Sequence, residues 1–237
     1  AIRSKSGDEK TMPHFLSMTA TPIPRSFALT LYGDLDLSII NEMPVGRKPV
    51  KTRLVEPAKR EKAYSFIEEQ VKGGMQVFVI CPLIEERIAD SGQRIANSSD
   101  KKSVLAEYDK LSKNIFPGFK ISYLHGKMPI KEKDSVMGKF AAGETDILVS
   151  TSVVEVGVDI PNASVMMIEG AENFGLAQLH QFRGRVGRSE HQSYCFLFTD
   201  SDSQKVKKRL EFFEKNTDGF RVAEYDLEMR GPGEVYG

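Results

Sequence analysis

The sequence predicts an α/β domain, a parallel sheet covered by helices on both faces, with a helical hairpin behind it. Three observations carry this. Runs such as Gln76-Val77-Phe78-Val79-Ile80-Cys81 and Tyr194-Cys195-Phe196-Leu197-Phe198 are almost wholly apolar, as strands buried on both faces are. Between such runs, apolar residues recur at helical spacing, so strand and helix alternate. After the last strand, Val206, Leu210 and Phe213 repeat at helical spacing opposite Lys205, Lys207, Lys208 and Arg209. Asn216-Thr217-Asp218-Gly219 then reads as a turn, and Phe220, Ala223 and Leu227 suggest a second helix.

In chain order, residues 1–12 are polar and read as a loop or tail. A short apolar run, 15–20, feeds Thr21-Pro22-Ile23-Pro24-Arg25, where two prolines suit a turn and the first position of a helix over 26–32. Pro44-Val45-Gly46-Arg47-Lys48-Pro49 has the composition of a linker and marks a domain boundary. Residues 1–46 are therefore expected to form one unit, 47–200 a second and 201–237 the hairpin with the start of a following loop. Within the second unit, 51–55 is a strand. Residues 59–72 form a helix with Ala63, Phe66, Ile67 and Val71 on one side, stopped by Gly73-Gly74. A polar loop over 85–100 precedes a helix over 102–114 and a strand over 120–124. Ile130, Met137, Phe140 and Ala141 line the next helix, and strands follow at 146–150, 165–168 and 194–198.

Composition bounds the function class. Lys and Arg together number 33, Asp and Glu 33, so the formal net charge is zero. That argues against coating nucleic acid by bulk electrostatics but allows local basic patches. No apolar run is long enough to cross a bilayer, so no membrane partner is expected. The two cysteines, Cys81 and Cys195, fall in strand-like runs, and no signal peptide or zinc-ligand spacing is visible; a reducing, cytoplasmic setting follows.

Charge is concentrated in Gln181-Phe182-Arg183-Gly184-Arg185-Val186-Gly187-Arg188, three arginines within six residues and no acid among them. If the helix suggested by Leu176-Ala177-Gln178-Leu179-His180 continues, Gln181, Arg185 and Arg188 share one face and Arg183 points elsewhere. One amide and two guanidinium forks make a clamp for a polyphosphate; pairing with surface carboxylates such as Glu190 is the plainer alternative. Ligands gather at the carboxyl ends of strands in such sheets. Thr151-Ser152 and the Gly157-Val158-Asp159 turn could hold phosphate or a ribose hydroxyl there, or serve only as a helix cap and a turn. His125-Gly126-Lys127 could contact a phosphate backbone or be a solvated turn, and the lysine-rich helix face and Glu85-Glu86 read as solvated surface. No Gly-x-x-x-x-Gly-Lys-Ser/Thr loop occurs, so the clamp lacks a nucleotide cradle and metal carboxylates in this chain.

A resemblance joins these pieces. Thr19-Ala20-Thr21-Pro22-Ile23-Pro24-Arg25, Tyr32-Gly33-Asp34-Leu35-Asp36, Leu124-His125-Gly126-Lys127-Met128, residues 151–161, residues 178–188, and Asp218-Gly219-Phe220 with Arg230-Gly231-Pro232-Gly233-Glu234 follow one another in order. Together they resemble the motor half of the bacterial RecG-type ATP-dependent DNA helicases of superfamily 2. The transcription-repair coupling factor has a similar motor and hairpin; residues 33–36 and the 44–49 linker favour RecG.

The resemblance implies a RecA-like fold, with ATP and Mg2+ bound between two motor domains and the metal held by a first domain that this chain lacks. It implies branched or forked DNA as partner, such as stalled forks and Holliday junctions, along with the missing first motor domain and N-terminal wedge domain. Thr19 and Thr21 would couple the ATP and DNA sites; His125, Gly126 and Thr151 would touch DNA backbone. Gly157 and Asp159 would line the nucleotide cleft, Gln181 would face the γ-phosphate, and Arg185 and Arg188 would be arginine fingers. Arg230 and its loop would move with the hairpin and engage DNA. Phe182 departs from the pattern, standing where many related helicases carry arginine, and the chain ends before the family's remaining loop residues. The chain alone is expected to lack ATPase activity. Two other classes stay open: a Rossmann-like domain binding a diphosphate without hydrolysis, and an interaction module using the hairpin as a dock.

Overall fold

Strands β1 (Lys51–Val55), β2 (Gln76–Ile80), β3 (Ile121–Leu124), β4 (Ile147–Ser150), β5 (Ala163–Ile168) and β6 (Tyr194–Phe198) form one sheet in the order β1-β6-β5-β2-β4-β3. Every neighbouring pair is parallel, as the apolar runs predicted. The computed structural model describes residues 46–82, 99–151 and 160–230, with the single positions 16, 18, 38 and 40. The expectations for Thr19, Thr21, the helix over 26–32, Gly157, Asp159 and the loop beyond Arg230 lie outside the described residues.

Side chains alternate across each strand, and the two sides of the sheet hold separate cores. Helices α1 (Arg60–Lys72) and α2 (Ser99–Lys110) cover one face, where Ala63, Ile67, Val71 and Val104 pack with Val77, Val79, Val149, Val165 and Met167. The opposite face carries α3 (Ile130–Ala141), α4 (Leu176–Arg183), α5 (Gln204–Lys215) and α6 (Gly219–Arg230). There Phe140, Leu179, Phe182, Leu210, Phe213 and Val222 meet Phe78, Ile80, Leu148, Met166 and Ile168. Strands β2, β4 and β5 are buried from end to end, which is why periodicity alone could not orient them.

The helical hairpin forms as expected. Phe212 of α5 stacks on Tyr225 of α6 with centroids 3.7 Å apart, and Asp218 Oδ1 accepts the Phe220 amide at 2.9 Å in the turn between them. Two local expectations are corrected. The helix expected over 102–114 starts at Ser99 and ends in a π-helical turn, Leu111–Ile115, that sinks Leu111 into the core. Ile130, expected on the buried side of α3, is 76% exposed in its first turn. The buried side of α6 is formed by Val222, Ala223 and Asp226, with Phe220 and Leu227 at its margins.

Candidate functional site

The arginine stretch begins as helix and does not remain one. Helix α4 opens with Gln178 Oε1 accepting the Gly175 amide at 3.2 Å, and it buries Leu176, Leu179 and Phe182. It ends at Arg183. The Gly184 amide bonds back to the His180 carbonyl at 3.0 Å and the Arg185 amide to that of Phe182 at 2.9 Å, which closes the last turn. Val186 is then drawn into the core and Gly187 takes φ 77°, a left-handed conformation that turns the chain away. The expectation of Gln181, Arg185 and Arg188 on one helical face is therefore corrected: Gln181 lies on the last turn of α4, and both arginines lie in the loop after it. Burial of Val186 and the backbone freedom of Gly187 outweigh the helical spacing. Arg188 is exposed, Gln181 and Arg185 half-buried.

Arg183 is the residue that the sequence reading passed over. It is 4% exposed. Its Nη1 donates to the carbonyls of Phe213 at 3.2 Å and Asn216 at 3.0 Å, and its Nη2 to that of Thr217 at 3.3 Å. These are orphan carbonyls at the end of α5, so a side chain from the arginine stretch caps the first helix of the hairpin. Nη2 also lies 3.1 Å from His180 Nδ1. A guanidinium can only donate, so that nitrogen is the acceptor and carries no proton. Burial first, and then the Arg183 charge, push the His180 pKa down to about 4. A signal was available: Leu176, Leu179 and Arg183 share one side of a helix, which places a charge on its apolar face.

A second polar group supports the start of this segment. Glu169, the residue after β5, is buried and receives Arg60 Nη1 on both oxygens at 2.9 and 3.0 Å, Tyr64 Oη at 3.3 Å and Lys110 Nζ at 3.4 Å. Arg60 Nη2 reaches Asp200 beyond β6 at 3.0 Å. Burial alone would lower the pKa of Arg60, but the hydrogen bond and charge of Glu169 raise it above the ordinary arginine range. Burial and the nearby Glu169 charge raise the Glu107 carboxyl. The cluster pins α1 and α2 to the exit of β5, from which α4 departs. Arg209 of α5, expected on the solvated face, instead donates to the carbonyls of Glu172 at 2.8 Å and Phe174 at 3.1 Å.

Three of the residues assigned to DNA contact, His125, Gly126 and Thr151, follow the β3–β4 edge of the sheet. Leu124 and Ser150 are register partners on β3 and β4, so His125 and Thr151 are the first residues beyond a shared edge. His125 is buried and stacked on Tyr123 with centroids 6.2 Å apart. The Gly126 carbonyl accepts Lys133 Nζ at 2.6 Å. Thr151 is 1% exposed, and among the described residues its Oγ1 has no hydrogen-bond partner. Arg230 is the last residue of α6, and its side chain is not among those described.

The chain matches the model of the helicase conserved C-terminal domain over residues 59–190, more than half its length. It belongs to that family. RecG, the ATP-dependent DNA helicase of Thermotoga maritima, is 51% identical over 222 residues, which cover 94% of this chain and 27% of that protein. The Bacillus subtilis RecG is 46% identical over 237 residues, covering 100% of this chain and 33% of that one. The chain thus spans a third or less of the length of these relatives. A solved structure of RecG bound to a three-way DNA junction aligns with TM-score 0.74 at 50% identity, over 91% of this chain and 27% of that one. The Mss116p structure with single-stranded RNA and AMP-PNP aligns with TM-score 0.52 at 19% identity, over 72% of this chain and 32% of that one, a likeness of fold alone.

Within this helicase domain, Phe182 is 1% exposed and meets Phe174 edge-on at 5.3 Å. A core position suits an aromatic there, since a charged side chain would have to be desolvated. The exposed Arg188 and half-buried Arg185 carry guanidinium forks, groups whose geometry matches oxyanions in general. Among the described residues no group of three or more His, Cys, Asp or Glu side chains is placed to hold a metal ion. No described helix is long and apolar enough to cross a membrane.

Proposed function

We propose that this chain is the second motor domain and translocation hairpin of a RecG-type ATP-dependent DNA helicase that remodels branched DNA, such as stalled replication forks and Holliday junctions, in the cytoplasm. The observation that carries the reading is identity of 46% to a RecG protein across all 237 residues, motor and hairpin alike. Residues 1–46 are then the end of the first RecA-like motor domain and the linker, 47–200 the second motor domain, and 201–237 the hairpin and the start of its loop. The first motor domain and the wedge domain complete the enzyme.

In this reading ATP, with Mg2+ held by the first motor domain, supplies the phosphoryl transfer to water that drives each cycle. Arg188 and Arg185 stabilise negative charge on the transferring phosphoryl oxygens, Gln181 faces the γ-phosphate, and Gly157 and Asp159 line the cleft. Fingers of this kind contribute roughly a thousandfold or more to turnover in related phosphoryl transfers. His125, Gly126 and Thr151 hold DNA backbone at the β3–β4 edge, a reading supported by His125 and Thr151 following directly on register-paired strand ends. Thr19 and Thr21 couple that edge to the nucleotide. Arg183 supports a path for movement from the arginine loop into α5 and α6, and so to Arg230. The test is a fork-remodelling assay with the full-length protein: ATP-dependent conversion of a forked DNA is expected, and binding without conversion contradicts the reading.

A further inference from the structure

The linker runs along the arginine loop before it enters the sheet. Arg47 Nε donates to the Gly187 carbonyl at 2.6 Å. Gln192 Nε2 donates to the Pro49 carbonyl at 2.9 Å, and the Lys51 amide to the Ser193 carbonyl at 2.9 Å, so residues 47–51 lie beside residues 187–193. The approach is close. A Cβ on Gly187 would stand 2.8 Å from Val50 Cγ2, and its φ of 77° already excludes most side chains.

The Gly187 carbonyl belongs to the peptide unit that leads directly into Arg188. That unit is planar, so fixing its oxygen fixes the Arg188 amide and the direction in which the Arg188 Cα leaves. Val186 anchors one side of the turn in the core, and Arg47 holds the other from outside it. Arg47 is half-buried and sits in the segment 44–49, whose prolines limit its freedom.

We propose that Arg47 is a positioning residue for ATP hydrolysis: through the Gly187 carbonyl it sets the backbone from which Arg188 reaches the nucleotide, so linker movement is transmitted to the arginine loop. This rests on the reading of Arg188 as a finger. Arg47 touches no reacting atom and acts through the hydrogen bond rather than through its charge at the nucleotide. Glutamine carries an N–H donor at the same number of bonds from the backbone as Arg Nε, without the charge.

The experiment measures fork-stimulated ATP turnover of the full-length protein with Arg47→Ala and Arg47→Gln, each alone and combined with Arg188→Ala, alongside thermal unfolding. Arg47→Ala should lower kcat roughly 10-fold, the scale of a slightly misplaced catalytic group, with KM for ATP and the unfolding temperature close to those of the parent. Arg47→Gln should recover most of that loss. In the Arg188→Ala background, Arg47→Ala should add nothing, because its effect passes through the absent side chain. Wild-type kcat in Arg47→Ala, a Gln variant as slow as the Ala variant, or an equal further loss in the Arg188→Ala background would each overturn the proposal. Full turnover in Arg188→Ala alone would instead remove the finger reading beneath it, so the two failures are distinguishable.

Discussion

The Arg183 guanidinium lies 4.1 Å from the centre of the Phe213 ring, and the same group caps the end of α5. Its bonds to three carbonyls are charge-assisted, buried at Phe213 and partly buried at Asn216 and Thr217, and the residue as a whole is 4% exposed. Arg183 thus fastens the arginine stretch to the hairpin.

Replacing it should be costly. Arg183→Ala strips the carbonyls of Phe213, Asn216 and Thr217 of their donor, and we expect a loss of about 3 kcal/mol in denaturant unfolding. Arg183→Lys should recover only part, because a single ammonium cannot span the three carbonyls with a planar fork. An Ala variant as stable as the parent would show that the cap contributes nothing.

His180 makes stability depend on pH in a defined window. Its folded pKa is about 4 against an ordinary 6.5, so between these values the unfolded chain binds a proton that the folded one does not. Stability contributed by the neutral ring is present above about pH 6.5 and is lost as pH falls towards 4. Protonation would place a second cation beside Arg183 and remove the acceptor at Nδ1. Unfolding curves across this range should show a steeper decline for the parent than for His180→Asn, and parallel declines would contradict the assignment.

Much of the fold was legible in the sequence because strands buried on both faces leave near-continuous apolar runs, and Gly73-Gly74 marks where α1 stops. Contacts between distant segments were not. The clamp face of Gln181, Arg185 and Arg188 was drawn from helical spacing, but spacing cannot show that Val186 is pulled into the core or that Gly187 turns left-handed against Val50. Helical spacing sets Arg183 apart from the clamp face but cannot name its partners, which lie about thirty residues on, at the end of α5. Ile130 was assigned to the core on its apolar character, yet the first turn of α3 projects it outward. In each case a tertiary contact, absent from local pattern, decided the outcome.

If the loop after α4 forms one wall of a nucleotide cleft, turnover must depend on Arg188. In the full-length protein, fork-stimulated ATP turnover and fork affinity would be measured for the parent and for Arg188→Ala. With Arg188 as a finger, kcat falls by roughly a thousandfold while DNA affinity stays within a few-fold. Unchanged turnover, or a loss of DNA binding that accounts for the whole decrease, would contradict that role.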